Sequence, residues 1–241
     1  MKISTGCSGF HYKDWKGVFY PGDIAEKDFL KYYAEKFNSV EINNTFYKVP
    51  SSKTLKSWVE ETPRDFTFTL KGSRYITHMK KLNDPEEHLE KFMDSTAAIL
   101  GKTRCILWQL PGNQHKDMDK LKNFVEKLSG DIWHVFEFRH VSWYDEDVKE
   151  LLTKKNMVFC SVSCPLQDIP DDVVVTSGIC YVRMHGVKNW YDYNYSEKQL
   201  RSLAEKIKGS GAREAFIYFN NDVKARAPAN AIELEEILKK G

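Results

Sequence analysis

The sequence alternates eight times between a short, apolar, β-rich run and a segment with helical spacing, and few folds accommodate such a chain. The β-rich runs are read at 2–6, 39–44, 66–71, 104–110, 132–139, 157–163, 179–185 and 214–220. Their centres carry β-branched and aromatic residues, as in Val135-Phe136-Glu137-Phe138 and Phe216-Ile217-Tyr218-Phe219. The segments between them carry helix signals. Asp23 with Glu26 reads as a capping-box variant ahead of Leu30, Tyr33, Ala34 and Phe37. Asp84-Pro85-Glu86-Glu87 reads as an N-cap, a first-turn proline and two acids, and Gly101 as the stop of that helix. Ser196 with Gln199 caps a stripe of Leu200, Leu203, Ala204 and Ile207 that Gly209 ends. Leu121, Phe124, Val125 and Leu128 make another stripe, as do Ala231, Leu234, Ile237 and Leu238. The sixth crossover, 164–178, holds two prolines and an acidic pair and predicts a loop.

Strand–helix alternation implies a parallel sheet, and eight right-handed units favour closure into a single (β/α)8 TIM-type barrel over residues 1–241. The length of 241 residues is close to the ~250 typical of such barrels. An open doubly wound sheet competes, but no GxGxxG or GxxxxGK[ST] follows the first strand. A net charge of +2 argues against a polyanion-coating protein and permits a local basic pocket. No apolar run is long enough to span a membrane. Five cysteines, with no secretory h-region, read as reduced thiols in a cytoplasm, and no spacing suggests a zinc site.

Side chains alternate across a strand, so parity assigns faces. Glu41 and Asn43 share a face, as do Thr69 and Lys71, Glu137 and Arg139, Ser161 and Ser163, Arg183 and His185, and Tyr218 and Asn220; Gln109 ends the fourth strand. Each strand therefore turns polar at its C-terminal end on one face, read as the barrel interior. Such charges are costly unless paired or facing a wet cavity, and sites in this fold sit at that end. Loops beyond the strands add His11, Tyr12, Trp15, His78, His140, Trp143 and Asn221 to the same rim.

These segments resemble the YecE-like family, a domain of unknown function. The resemblance rests on Ser8-Gly9-Phe10 with Tyr12, Trp15, Gly17, Phe19, Tyr20 and Pro21; on Glu41-Ile42-Asn43 with Thr45-Phe46-Tyr47; and on Lys71 with Ile76-Thr77-His78. It continues through Gln109-Leu110-Pro111, Glu137-Phe138-Arg139-His140 with Ser142-Trp143, Tyr181-Val182-Arg183 with His185-Gly186, and Phe219-Asn220-Asn221 with Ala227, Asn230 and Ala231. It implies a TIM barrel and no particular reaction. Phe10 stands where the pattern has Trp, Gly112 where it has a second Pro, and Ser163 near where it has an acid.

Glu41, Glu137 and His185 are the candidates for acid/base work, since paired groups in different environments can divide those roles. The bland reading is that each acid only pairs with a cation: Glu137 with Arg139 or Arg183, Glu41 with Lys71. Lys71, Arg139 and Arg183 make the interior more cationic than anionic and suit a phosphate or carboxylate. Asn43, Gln109, Asn220 and Asn221 add neutral donors and acceptors. No cofactor is predicted. A divalent metal on Glu41, Glu137, His185 and Asp222 is conceivable, but the rim is poor in the carboxylates that such sites want. The reading is thus an enzyme acting on a small anionic ligand such as a phosphosugar or nucleotide. A nucleic-acid-processing phosphodiesterase and a non-catalytic ligand-binding protein are the alternatives.

Overall fold

The computed structural model describes residues 1–128 and 130–240. In chain order the elements are β1 (Lys2–Cys7), α1 (Phe29–Lys36), β2 (Ser39–Ile42), the one-turn α2 (Asn44–Tyr47), α3 (Ser52–Glu61), β3 (Thr67–Lys71), α4 (Glu86–Thr96), β4 (Thr103–Gln109), α5 (Met118–Glu126), β5 (Trp133–Glu137), α6 (Glu146–Lys154), β6 (Val158–Ser163), β7 (Ile179–Met184), α7 (Glu197–Gly209), β8 (Glu214–Phe219) and α8 (Arg226–Lys240). The eight strands form one parallel sheet in the order β1-β8-β7-β6-β5-β4-β3-β2, a nearly closed barrel with helices outside it. No helix crosses from β6 to β7, as the prolines of that segment predict. No helix among the described residues is long and apolar enough to cross a membrane. All five cysteines are free.

Among the described residues the ladder is missing only between β1 and β2, where side chains stitch the seam. The Tyr33 hydroxyl accepts from the Cys7 backbone N–H (2.7 Å) and donates to the Ser39 carbonyl (3.1 Å). Asn38 Nδ2 donates to the Ile3 carbonyl, and Asn43 Nδ2 to that of Ser8. Gly6 permits the approach, because a Cβ there would lie 2.1 Å from the Ser39 carbonyl oxygen. Tyr33→Phe strands two buried backbone groups, and a loss of roughly 1–3 kcal/mol is expected in urea unfolding. A loss under a few tenths would show that the seam closes without the hydroxyl.

Three boundary expectations are corrected. The Asp23–Glu26 capping box does not form: α1 starts at Phe29 after a 3₁₀ turn, and Glu26 instead pairs with Lys13 (2.9 Å) and His11 (3.3 Å). Asp84 is not an N-cap. Its φ of 41°, in a loop that turns to bury Leu82, takes it out of the extended conformation a cap needs, and α4 begins at Glu86. That helix also ends at Thr96 rather than Gly101, tightening into a 3₁₀ turn over Ala97–Lys102. The Ser196–Gln199 box and the Gly209 stop are present as read.

Candidate active site at the barrel mouth

Strand register fixes which residues point inward. Ser39 and Thr69 both hydrogen bond the Tyr218 hydroxyl across the barrel (2.5 and 3.0 Å). Lys71 follows two residues after Thr69 on the same face, as Glu41 follows Ser39. The interior below the mouth is apolar, filled by Cys105, Leu107, Val135, Val158, Cys160, Val162 and Phe216. β6 departs from the expectation. Cys160 and Val162 pair in register with Tyr181 and Arg183 and face inward, so Ser161 and Ser163 face out. Their hydroxyls serve the loop side instead: Ser161 Oγ accepts from the Val174 N–H and Ser163 Oγ from the Tyr195 hydroxyl. A crossover without a helix must find partners for its backbone, and β6 supplies one.

Above the apolar layer lies a charged ring. Arg183, 1% exposed, donates from Nε and Nη2 to both oxygens of Glu41 (2.9 and 2.6 Å) and from Nη1 to Glu137 Oε2 (2.5 Å). Tyr181 donates to Glu41 Oε2 at 2.7 Å. Arg139 Nε donates to Glu137 Oε1. Both carboxylates, each fully buried, therefore have at least one donor on each oxygen. Burial alone would push the Glu137 carboxyl up, but Arg139 and Arg183 outweigh it and hold it well below the ordinary range. The expected Glu41–Lys71 pair does not form, because Glu41 reaches across the barrel to Arg183. Tyr181, which shares parity with Arg183 and His185, belongs to this ring and was overlooked in the sequence.

His185 is fully buried behind Arg139. Its Nε2 meets Arg139 Nη2 (3.0 Å) and Arg183 Nη1 (3.3 Å), and guanidinium groups only donate, so Nε2 is the acceptor. The proton then sits on Nδ1, 3.0 Å from the Asn220 side-chain nitrogen; that nitrogen also only donates, so this tautomer requires the Asn220 amide turned to present its oxygen to the ring. Burial first, then the two arginines, lower the imidazole to about 3. Histidine in the unfolded chain protonates near ~6.5, so this residue makes stability fall as pH drops from there towards 3. Nitrogen-detected NMR is expected to show a neutral, Nδ1-protonated ring throughout pH 5–8; an imidazolium at pH 6 would contradict the assignment.

Arg139 joins ring and solvent. Its guanidinium lies 4.5 Å from the Trp190 ring, and its Nη1 has no hydrogen-bond partner among the described residues. It lines a cleft of 530 Å³ with His78, Gln109, His140, Trp190 and Asp168. His140 Nδ1 accepts from the Ser142 N–H (3.2 Å), and its ring packs against His115. His78 bonds Thr77 Oγ1 through Nδ1 (2.9 Å) and is lowered to about 4 by partial burial and by Lys71. Lys71 sits nearby with its ammonium 4.2 Å from the Phe46 ring centroid, and His78 meets the same ring edge-on.

Other sequence candidates lie elsewhere. His11, Tyr12 and Asn43 line a separate cleft of 480 Å³ with Ser8 and Trp58. Trp15 is buried, stacked on Tyr12, and donates to the Asp222 carbonyl. Trp143 is buried against Phe138 and donates to the Gln114 carbonyl, a packing role. Asn221 clasps the Tyr193 carbonyl and Asn230. Asp222, half-buried, is raised to about 7, chiefly by burial. Among the described residues no group of three or more His, Cys, Asp and Glu is arranged to hold a metal ion.

A TIM-type barrel with a charged ring capped by a polar cleft is the class that fold and site define. The chain belongs to the family described as protein of unknown function DUF72, whose model matches residues 4–241, the family to which the sequence resemblance pointed. It is similar to UPF0759 protein YunF of Bacillus subtilis, at 23% identity over 98% of this chain and 94% of that one. A DUF72 family structure from Thermotoga maritima superposes with a TM-score of 0.89 at 32% identity, covering 99% of this chain and all of the other. One from Enterococcus faecalis gives 0.85 at 21%, over 98% and 95%. SacUVDE, a UV damage endonuclease, shares the fold alone, with a TM-score of 0.56 at 10% identity over 100% and 98%.

Proposed function

We propose that the protein is an enzyme acting on a small phosphate- or carboxylate-bearing molecule held in the cleft over Arg139. One observation carries this reading: a guanidinium held by Glu137, His185 and Trp190, with its Nη1 unpartnered among the described residues, lines an open cleft together with His78, Gln109, His140 and Asp168. A fork fixed on two sides recognises an oxyanion with little entropy left to lose. Glu41 and Glu137 act as counterions that hold Arg183 and Arg139, which leaves proton transfer to groups on the cleft wall. His140 has its Nδ1 anchored and its Nε2 free of any protein partner among the described residues.

The test is calorimetric titration of phosphate, phosphosugars, nucleotides, short carboxylates and a single-stranded oligonucleotide. At least one small anion is expected to bind, and Arg139→Gln to weaken it by roughly ten- to a hundredfold, the value of a charged hydrogen bond. If none binds, or Arg139→Gln changes nothing, the reading fails. Oligonucleotide binding with a steep salt slope, and no small-anion binding, would favour the nucleic-acid alternative.

A further inference from the structure

We infer that Lys71 is an amine that captures a carbonyl group, so the anionic ligand of the cleft is an aldehyde or ketone, held by Arg139 and bound to Lys71 as an imine. This deepens the proposed function and rests on it. The geometric ground is the isolation of the lysine. Two carboxylates lie within electrostatic reach of its Nζ, yet no hydrogen bond or ion pair reaches it among the described residues. Every oxygen of those carboxylates already takes a donor from Arg183, Tyr181 or Arg139. The lysine's ammonium lies on the face of Phe46, whose ring the cleft residue His78 meets edge-on, and Arg183, Glu137, Glu41 and Arg139 act on it electrostatically. A structural lysine would be paired or would extend into water; this one is inward-facing and partly open at a strand's C-terminal end.

That environment also supplies reactivity. Burial, then Arg183, lower the amine to about 7, so a large share is neutral at physiological pH. The Nζ lone pair attacks the carbonyl carbon, forming a C–N bond while the oxygen takes a proton to give the carbinolamine. The C–O bond then breaks, and both hydrogens of the original amine leave in the water released. Arg139 Nη1 is free to hold the phosphate or carboxylate of the same molecule.

The test is reductive trapping. Wild-type protein is incubated with pyruvate or with dihydroxyacetone phosphate plus sodium cyanoborohydride, and the adduct is mapped by peptide mass spectrometry. Ketones react poorly with surface lysines, so one dominant adduct on Lys71 is expected with one of the probes. It should vanish in Lys71→Arg and fall at least about tenfold in Arg139→Gln, in line with losing a charged contact. No adduct on Lys71 overturns the inference, and a yield that Arg139→Gln leaves unchanged overturns the pairing with an anion. Phosphate titration in parallel separates the two readings. Phosphate binding that Arg139→Gln abolishes, without any Lys71 adduct, sinks the imine and leaves the anion cleft standing.

Discussion

Arg183→Met is expected to destabilise the protein by about 3–5 kcal/mol, a large share of an ordinary total stability of about 5–15 kcal/mol. One guanidinium satisfies three of the four oxygens of two fully buried carboxylates. Without it Glu137 keeps Arg139, but Glu41 keeps only the Tyr181 hydroxyl. A buried carboxylate with one neutral donor must take up a proton or draw in water, and either disrupts the ring. The double variant Arg183→Met/Glu41→Gln separates charge from packing. It removes the unpaired charge with nearly the same volume, so it should recover much of the loss. Guanidinium unfolding of wild type, single and double variants measures this. A single variant within about 1 kcal/mol of wild type would show that the ring is not a stabilising unit, and a double no better than the single would place the cost in packing.

This ring also marks where the sequence stopped being informative. Alternation and parity are local, and they placed Glu41, Lys71, Glu137 and Arg183 on the inner face correctly. Pairing inside a barrel is not local. β2 and β7 do not share a ladder, yet Arg183 spans the lumen to Glu41, and no spacing in the chain records which of three cations it meets. β6 fails for a different reason. Its apolar and small polar residues alternate cleanly, but the polar side was needed outside, where Ser161 satisfies the Val174 N–H of the 164–178 segment and Ser163 accepts from the Tyr195 hydroxyl. Helix starts were legible where the cap residue had no competing partner, as at Ser196. They were not legible at Glu26, which ion pairs to Lys13 and His11 preferred. The missing β1–β2 ladder left its trace in Tyr33 and Gly6, but a helical tyrosine and a strand glycine have many commoner explanations.

Lys71→Met is expected to stabilise the protein at pH 6 while weakening the anion affinity of the cleft. The folded amine titrates at about 7 instead of its ordinary 10.5. Below pH 7 the native state carries a charge that its site opposes, and that cost is fully present. Between pH 7 and 10.5 the unfolded chain holds a proton that the folded chain has lost, so stability rises with pH across that window. The substitution removes the charge from both states. Its advantage over wild type should be roughly 2–4 kcal/mol at pH 6, after discounting for partial exposure, and should shrink to near zero by pH 10. Taking the difference between the two proteins at each pH cancels Asp222, which titrates in the same region. An advantage that does not change with pH would mean the gain is hydrophobic packing alone. The same charge explains why such a residue would persist at a cost. On the proposed function, an oxyanion in the cleft would add to the counterions Glu41 and Glu137, which act on the amine without bonding it, so its binding should raise the Lys71 pKa and take up a proton near pH 8. Titration in two buffers of different ionisation enthalpy reads that uptake directly, and Lys71→Met should abolish it. If wild-type protein binds anion at pH 8 without proton uptake, Lys71 does not face the ligand.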